Sequence, residues 1–243
     1  MTQAMALRAL ICALLLCSCP ALAGESCEPA AEKSAQNPDG TTLSVATTCD
    51  DADTRTYLIQ AKLADGSIDR MTVEASSDEA PTGGASLVDI DGDGYHEVEV
   101  RGMCGAGPNC QGELYRINRK RGEIELYFSG GYSDLSVIDG YLVEAGRASC
   151  CSWEYHAYRL DGREGVRDYA NMDMMVEVGA DLSSGEEDGT TRCRFSRRNG
   201  DAQEVIMPPS KKWLPLCELY GNDYHVVTPR EARAAEAAAD AQE

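Results

Sequence analysis

Short runs of alternating apolar and polar residues, broken by Asp-Gly or Asn-Gly pairs, constrain this chain more than any other feature. Residues 55–63 and 67–74 flank Asp65-Gly66, and 134–138 turns at Asp139-Gly140 into 141–144. Residues 152–160 lead to Asp161-Gly162, while 191–197 and 202–207 surround Asn199-Gly200. Residues 112–117 and 123–128 flank a basic turn at 118–122. Such dipeptides tolerate the positive φ angles of tight two-residue turns, whose twist matches that of the strands they join. Alternation with a period of two buries one face and wets the other, which suits antiparallel sheets. The expectation is a mainly β protein, with antiparallel hairpins in a β-propeller-like or sandwich-like arrangement. No strict sequence repeat marks regular blades. Residues 28–40 read as a mobile lead-in, and 181–189 as a polar acidic loop. Thr228-Pro-Arg-Glu231 offers an N-cap, a proline at the first helical position and a capping-box Glu. Residues 228–243 are therefore expected to form a short Ala-rich helix or tail.

The N-terminus points to a compartment. Arg8 precedes the apolar run 9–16, and Ala21-Leu-Ala23 places small residues where signal peptidase reads. The run is too short to span a bilayer as a mature helix. Residues 1–23 are expected to be an export signal cut before Gly24, leaving 24–227 as a single β-rich domain. Leu16-Cys-Ser-Cys19 also fits a lipobox, so a lipid anchor at Cys19 stays open beside simple cleavage. The expected location is the periplasm, with membrane contact only through lipid on Cys19.

Cysteine usage agrees with export. Of eleven cysteines, Cys12, Cys17 and Cys19 lie in the signal. The remaining eight are Cys27, Cys49, Cys104, Cys110, Cys150, Cys151, Cys193 and Cys217. An even set in an oxidising compartment predicts four disulfides. Proximity suggests Cys27 with Cys49 and Cys104 with Cys110. Cys150 and Cys151 would then reach to Cys193 and Cys217, because adjacent cysteines bridge each other only with strain. The absence of a CxxC pair, with only three histidines, weighs against a zinc site. Formal net charge is −19, and −20 once the signal with its one Arg is removed. That field repels nucleic acid and anionic lipid, and it favours a cationic partner or divalent ions.

Asp89-Ile-Asp-Gly-Asp-Gly-Tyr-His-Glu97 carries the second signal. Five carboxylates fall between Asp89 and Glu99, with no Lys or Arg among them. Calcium takes six to eight hard oxygen ligands, and alternate residues of a tight loop can aim them at one point. Asp89, Asp91 and Asp93 would supply side chains, Tyr95 its carbonyl, and Glu97 a carboxylate, directly or through water. Gly94 permits the sharp turn. Position 12 is Val100 rather than a bidentate Glu, and both flanks read as strands, so the loop is no EF-hand. A solvated acidic hairpin loop is the plainer reading of the same residues. The expected cofactor is a structural Ca2+, since no nucleophile or base lies beside it in sequence.

No catalytic constellation stands out. His96, His156 and His225 are scattered, and no GxSxG, HExxH or phosphate-cradling loop occurs. The chain is therefore read as a binding module rather than an enzyme. Its strand–loop–strand DxDxDGxxE resembles the calcium loops of FG-GAP and integrin-type propeller blades. The wider segment 86–160 runs from that loop through a Gly/Cys-rich loop to Leu114-Tyr-Arg-Ile-Asn-Arg-Lys-Arg-Gly-Glu-Ile124 and Phe128. A Gly-rich turn and paired strands ending in Tyr155-His-Ala-Tyr158 follow. This order is similar to periplasmic immunity proteins that neutralise lysozyme-like peptidoglycan hydrolases delivered by rival bacteria. The resemblance implies a β-propeller-like fold, bound calcium and a lysozyme-type hydrolase as partner. Within it, Ser129-Gly-Gly-Tyr132 matches the short SGxY loop by which bacterial lysozyme inhibitors enter the enzyme's cleft. Ser129, Gly130 and Tyr132 are implied as the inhibitory residues. The cysteine-bounded loop 104–110 and the double cysteine at 150–151 have no counterpart in that pattern. The alternative is a calcium-dependent cell-surface adhesion or scaffold module of FG-GAP type.

Overall fold

The computed structural model describes residues 30–49, 54–76, 84–105, 107–160, 165–180, 190–199 and 202–241. The expected export signal at 1–23, Cys27 and the expected acidic loop at 181–189 lie outside the described residues. The strands of the described residues form three antiparallel meanders, as the hairpin signals predict. The first sheet contains β1 (Ala30–Gln36), β2 (Thr42–Cys49), β3 (Thr54–Lys62) and β4 (Ile68–Ser76). The second contains β5 (Ala85–Val88), β6 (Glu97–Cys104), β7 (Cys110–Asn118) and β8 (Glu123–Tyr132).

The third sheet runs through β9 (Asp134–Ile138), β10 (Tyr141–Arg147), β11 (Ser152–Arg159), β12 (Met174–Ala180), β13 (Thr191–Asn199) and β14 (Ala202–Ile206). A short β15 (Tyr224–Val226) pairs with β13 in parallel. A 3-10 segment, Lys211–Tyr220, covers this sheet, and α1 (Pro229–Asp240) follows. Thr228 Oγ1 accepts from Glu231 N, and the Glu231 carboxylate accepts from Thr228 N, which is the expected capping box. No residue of α1 is buried, so the helix is peripheral.

The turns have the chemistry their sequences announce. Asp139 and Gly140 both hold positive φ, at 49° and 77°, as a two-residue hairpin of this hand requires. Asp65 accepts from Ser67 N and Oγ and so closes the β3–β4 turn.

The second sheet is the middle layer. One of its faces meets the first sheet, where Leu43, Val45, Tyr57 and Ile59 pack with Val98, Val100, Tyr115, Ile117 and Ile124. Its other face meets the third sheet, where Leu114, Phe128 and Tyr132 pack with Leu142, Tyr158, Met172 and Met175. A bulge makes this division. Leu114 pairs with Phe128 while Tyr115 pairs with Leu126, leaving Tyr127 as the extra residue. One inserted residue reverses the alternation, so Ile124 and Leu126 face the first sheet but Phe128 and Tyr132 face the third. Tyr127 is itself buried, with the guanidinium of Arg116 3.9 Å and that of Arg167 4.2 Å from its ring centre. The remaining core lies under the 3-10 segment, where Trp213 and Cys217 cover Val176, Val178 and Phe195. The arrangement is sandwich-like, and none of the three sheets closes into a barrel among the described residues.

Two expectations need correction here. Residues 30–36 of the supposed mobile lead-in form β1, which pairs with Thr42–Thr47 of β2, and Lys33 Nζ donates to Ala85 O of the neighbouring sheet. A strand with mostly exposed side chains has little apolar alternation to betray it. The second correction concerns cysteines. Cys104 bonds Cys110, but Cys193 bonds Cys217 rather than either member of the 150–151 pair. Cys193 points from β13 into the core, and the 3-10 segment lays Cys217 over it with Cα atoms 5.4 Å apart. That spacing lies within the ordinary range for a bridge. Cys150 and Cys151 sit at the surface between β10 and β11 as free thiols. Cys49 is disulfide-bonded.

Candidate cation-binding loop

The chain leaves β5 at Val88 and enters β6 at Glu97, so Asp89–His96 spans the end of a strand pair. Backbone amides fold it around its own carboxylates. Gly94 N donates to Asp89 Oδ2 at 3.0 Å, Asp93 N to Asp91 Oδ1 at 3.1 Å, and Tyr95 N to Asp93 Oδ1 at 2.8 Å. Gly92 and Gly94 carry φ of 73° and 84°, values that a residue with a Cβ resists. Gly94 also lies against Pro38, which would stand 3.1 Å from a Cβ placed there.

One carboxylate oxygen from each of Asp89, Asp91 and Asp93 falls within 4.8 Å of the others. Glu97 is not one of that group; it is 7 % exposed, with Oε2 accepting from Ile90 N at 3.3 Å. Burial first, and then the charges of Asp91, Asp93 and Asp89, push the Glu97 carboxyl up to about 7. Asp91 is also raised, by burial and by its two aspartate neighbours. Both acids resist ionisation because burial strips water from them and the neighbouring aspartates repel a further charge. Such a donor set of hard oxygens is what calcium accepts.

Three residues that the sequence reading gave no role at the loop lie around it. Asn37, from the β1–β2 turn, accepts from His96 N at 3.0 Å and donates to Thr41 Oγ1. It ties the exit of the loop to the first sheet. Arg119, in the basic turn after β7, reaches Asp93 Oδ2 at 2.9 Å, and its guanidinium lies 3.3 Å from the Tyr95 ring centre. Arg116 packs on Tyr127 and pairs with Glu125 at 2.9 Å. The acidic loop and the basic turn thus face each other across a cleft of about 710 Å³. The Arg119–Asp93 pair is half-exposed, and such pairs contribute little. It therefore does not relieve Glu97. The run Arg119-Lys-Arg121 was the available sequence signal, a basic cluster in a hairpin turn.

Ser129, Gly130 and Tyr132 do not form a projecting loop. They are the end of β8, paired with Glu113, Gly112 and Cys110 of β7. Tyr132 is fully buried, and its hydroxyl donates to Glu99 Oε1 at 2.8 Å. Its ring lies on Gly112, where a Cβ would overlap it. The expected presentation of Ser129 and Tyr132 as a loop is corrected on this ground: the bulge at Tyr127 turns Tyr132 inward.

Behind that strand lies a second polar cluster, centred on Glu144 of β10 and 4 % exposed. It accepts from Tyr158 Oη at 2.6 Å and Gly131 N at 2.9 Å, and His156 Nδ1 lies 3.3 Å away. Burial opposes ionisation here as well, but His156, Tyr158 and Gly131 outweigh it and hold Glu144 below the usual range. His156 is raised although burial works against it, because Glu144 and Glu154 favour its charged form.

Taken together, the chain is an antiparallel β protein whose disulfides are those of an exported protein. No family model matches it, and no curated protein does. Among solved structures it is similar to a Xanthomonas type IV secretion system related protein, with a TM-score of 0.44 and 15% identity. The similarity covers 75% of this chain and 99% of that one.

Proposed function

We propose that this chain is an exported, calcium-stabilised binding protein, and that its partner is a lysozyme-type peptidoglycan hydrolase, which it inhibits as an immunity protein. The observation that carries the calcium half is the cluster of Asp89, Asp91 and Asp93, whose charges, after burial, raise the carboxyl of nearby Glu97. Asp89, Asp91, Asp93 and Glu97, with the Tyr95 carbonyl, would hold the ion. Its charge would fix the loop between β5 and β6 and carry out no chemistry. The partner half is supported by the resemblance of 86–160 to immunity proteins. A net charge of −20 after export also suits a cationic wall hydrolase. The protein acts by binding rather than by turnover. Because Tyr132 is buried, contact with the hydrolase has to come from exposed loops and not from the end of β8.

The test is lysis of purified peptidoglycan by lysozyme-type enzymes from several classes. The protein slows lysis in calcium and loses that effect in EDTA or on Asp91→Ala. Undiminished lysis across all classes, with the protein loaded and folded, removes the inhibitor reading. Retention on a glycan or cell surface, lost with EDTA, would instead select an adhesion or scaffold module. The strand–loop–strand setting of the acidic loop favours that second reading.

A further inference from the structure

Cys150 and Cys151 are adjacent in the turn between β10 and β11, with their Sγ atoms 2.6 Å apart. That is well inside the van der Waals contact of two sulfurs, and bond formation needs only a small further approach. The turn holds them in this relation. The carbonyl of Cys150 accepts from Arg147 Nη2 at 2.9 Å, and the amide of Cys151 donates to Ser149 Oγ at 3.2 Å. Both polar groups of the peptide unit joining the two cysteines are thus engaged. Ser149 Oγ also lies 2.6 Å from Ser152 Oγ, and Asn109 brackets Arg147 with bonds to its N–H and carbonyl. No other free cysteine stands among the described residues.

We infer that Cys150 and Cys151 form a reversible vicinal disulfide, an exposed thiol–disulfide centre whose reaction partners are small or protein-borne dithiols and disulfides. Oxidation breaks two S–H bonds and forms the Sγ–Sγ bond. Two electrons and two protons pass to an oxidising disulfide, which leaves as two thiols. Neighbouring Cα atoms across a trans peptide are about 3.8 Å apart, short of the roughly 4.4–6.8 Å that unstrained bridges span. Strain and exposure together make such a bond easy to reduce. The Cys193–Cys217 bridge offers the contrast, since both its residues are fully buried.

Mass spectrometry tests this on the full exported chain, alkylated unfolded without reductant. After equilibration with oxidised glutathione, the tryptic peptide Ala148–Arg159 should be two hydrogens lighter than its dithiol form and carry no alkyl group. Brief exposure of the folded protein to a dithiol should open this peptide to two alkyl groups while Cys193–Cys217 remains closed. Cys150→Ser should abolish both signals and leave the calcium-induced rise in melting temperature unchanged. Free thiols on Ala148–Arg159 after oxidation, or disulfide-linked dimers in their place, would overturn the inference. So would a closed bridge that resists the dithiol as long as Cys193–Cys217 does.

Discussion

Glu97 and Glu144 are the same residue type at nearly the same burial, 7 % and 4 % exposed, yet their carboxyls shift in opposite directions. Both are buried in β-sheets and both meet a backbone amide, from Ile90 and Gly131 respectively. What differs is the rest of the shell. Glu144 also receives the Tyr158 hydroxyl and sits beside His156, so the third sheet supplies its own compensation. Glu97 instead feels the charges of three aspartates, which add to burial in raising it. Burial alone therefore says little about the role of a buried acid; its neighbours decide whether the charge is structural or waits for a ligand.

The largest expected effect follows from breaking the self-contained cluster. Glu144→Ala removes the acceptor for Tyr158 and Gly131 and leaves His156 without its main partner. A loss of roughly 3–5 kcal/mol by urea unfolding is expected, because orphaned buried groups keep their desolvation penalty. The loss should be the same in calcium and in EDTA. Dependence on calcium would mean that the two regions are one coupled site.

Glu97→Gln should behave differently, with a sign that depends on the ion. Folded Glu97 keeps its proton up to about pH 7, whereas the unfolded residue releases it near its ordinary value of 4.5. Without a cation, stability therefore falls as pH rises across that window, since the folded state binds more protons. In EDTA at pH 8 the Gln variant should gain on the order of 1–3 kcal/mol over wild type. In calcium it should forgo the stabilisation, about 2.7 kcal/mol at a hundredfold excess over Kd, that ligand binding gives wild type. Equal melting temperatures in both conditions would break the comparison at its first term.

The hairpins were legible in the sequence because Asp139-Gly140 and Asp65-Gly66 impose local φ values that few other dipeptides accept. The acidic loop was legible for the same reason, its glycines and aspartates being adjacent in the chain. Long-range facts were not. Nothing local marks Tyr127 as a bulge, although that one residue decides that Tyr132 is core rather than a projecting tip. Arg119 and Asn37 reach the loop from 26 and 59 residues away, and only the register of separate hairpins brings them there. Likewise Cys217 meets Cys193 because Lys211–Tyr220 folds back over β13, a turn whose own pattern is neither strand nor α-helix.

The smallest expected effect tests whether compensation at Glu144 is partly a matter of pH. His156 has its folded value raised above 6.5, so its contribution is complete below that value and fades as pH climbs through the raised one. Glu144, held low, contributes above 4.5 and fades only when pH falls through its lowered value. Between these limits the pair is charged on both sides and the cluster is at its firmest. Chemical unfolding in calcium from pH 5.5 to 8.5 should show wild type losing stability gradually toward the alkaline end. His156→Gln keeps a hydrogen-bonding side chain but cannot titrate, so its profile should be flatter over the same range. An unchanged slope would show that Tyr158 and Gly131 alone hold the Glu144 charge, and that the third sheet compensates its acid by hydrogen bonds without a counter-ion.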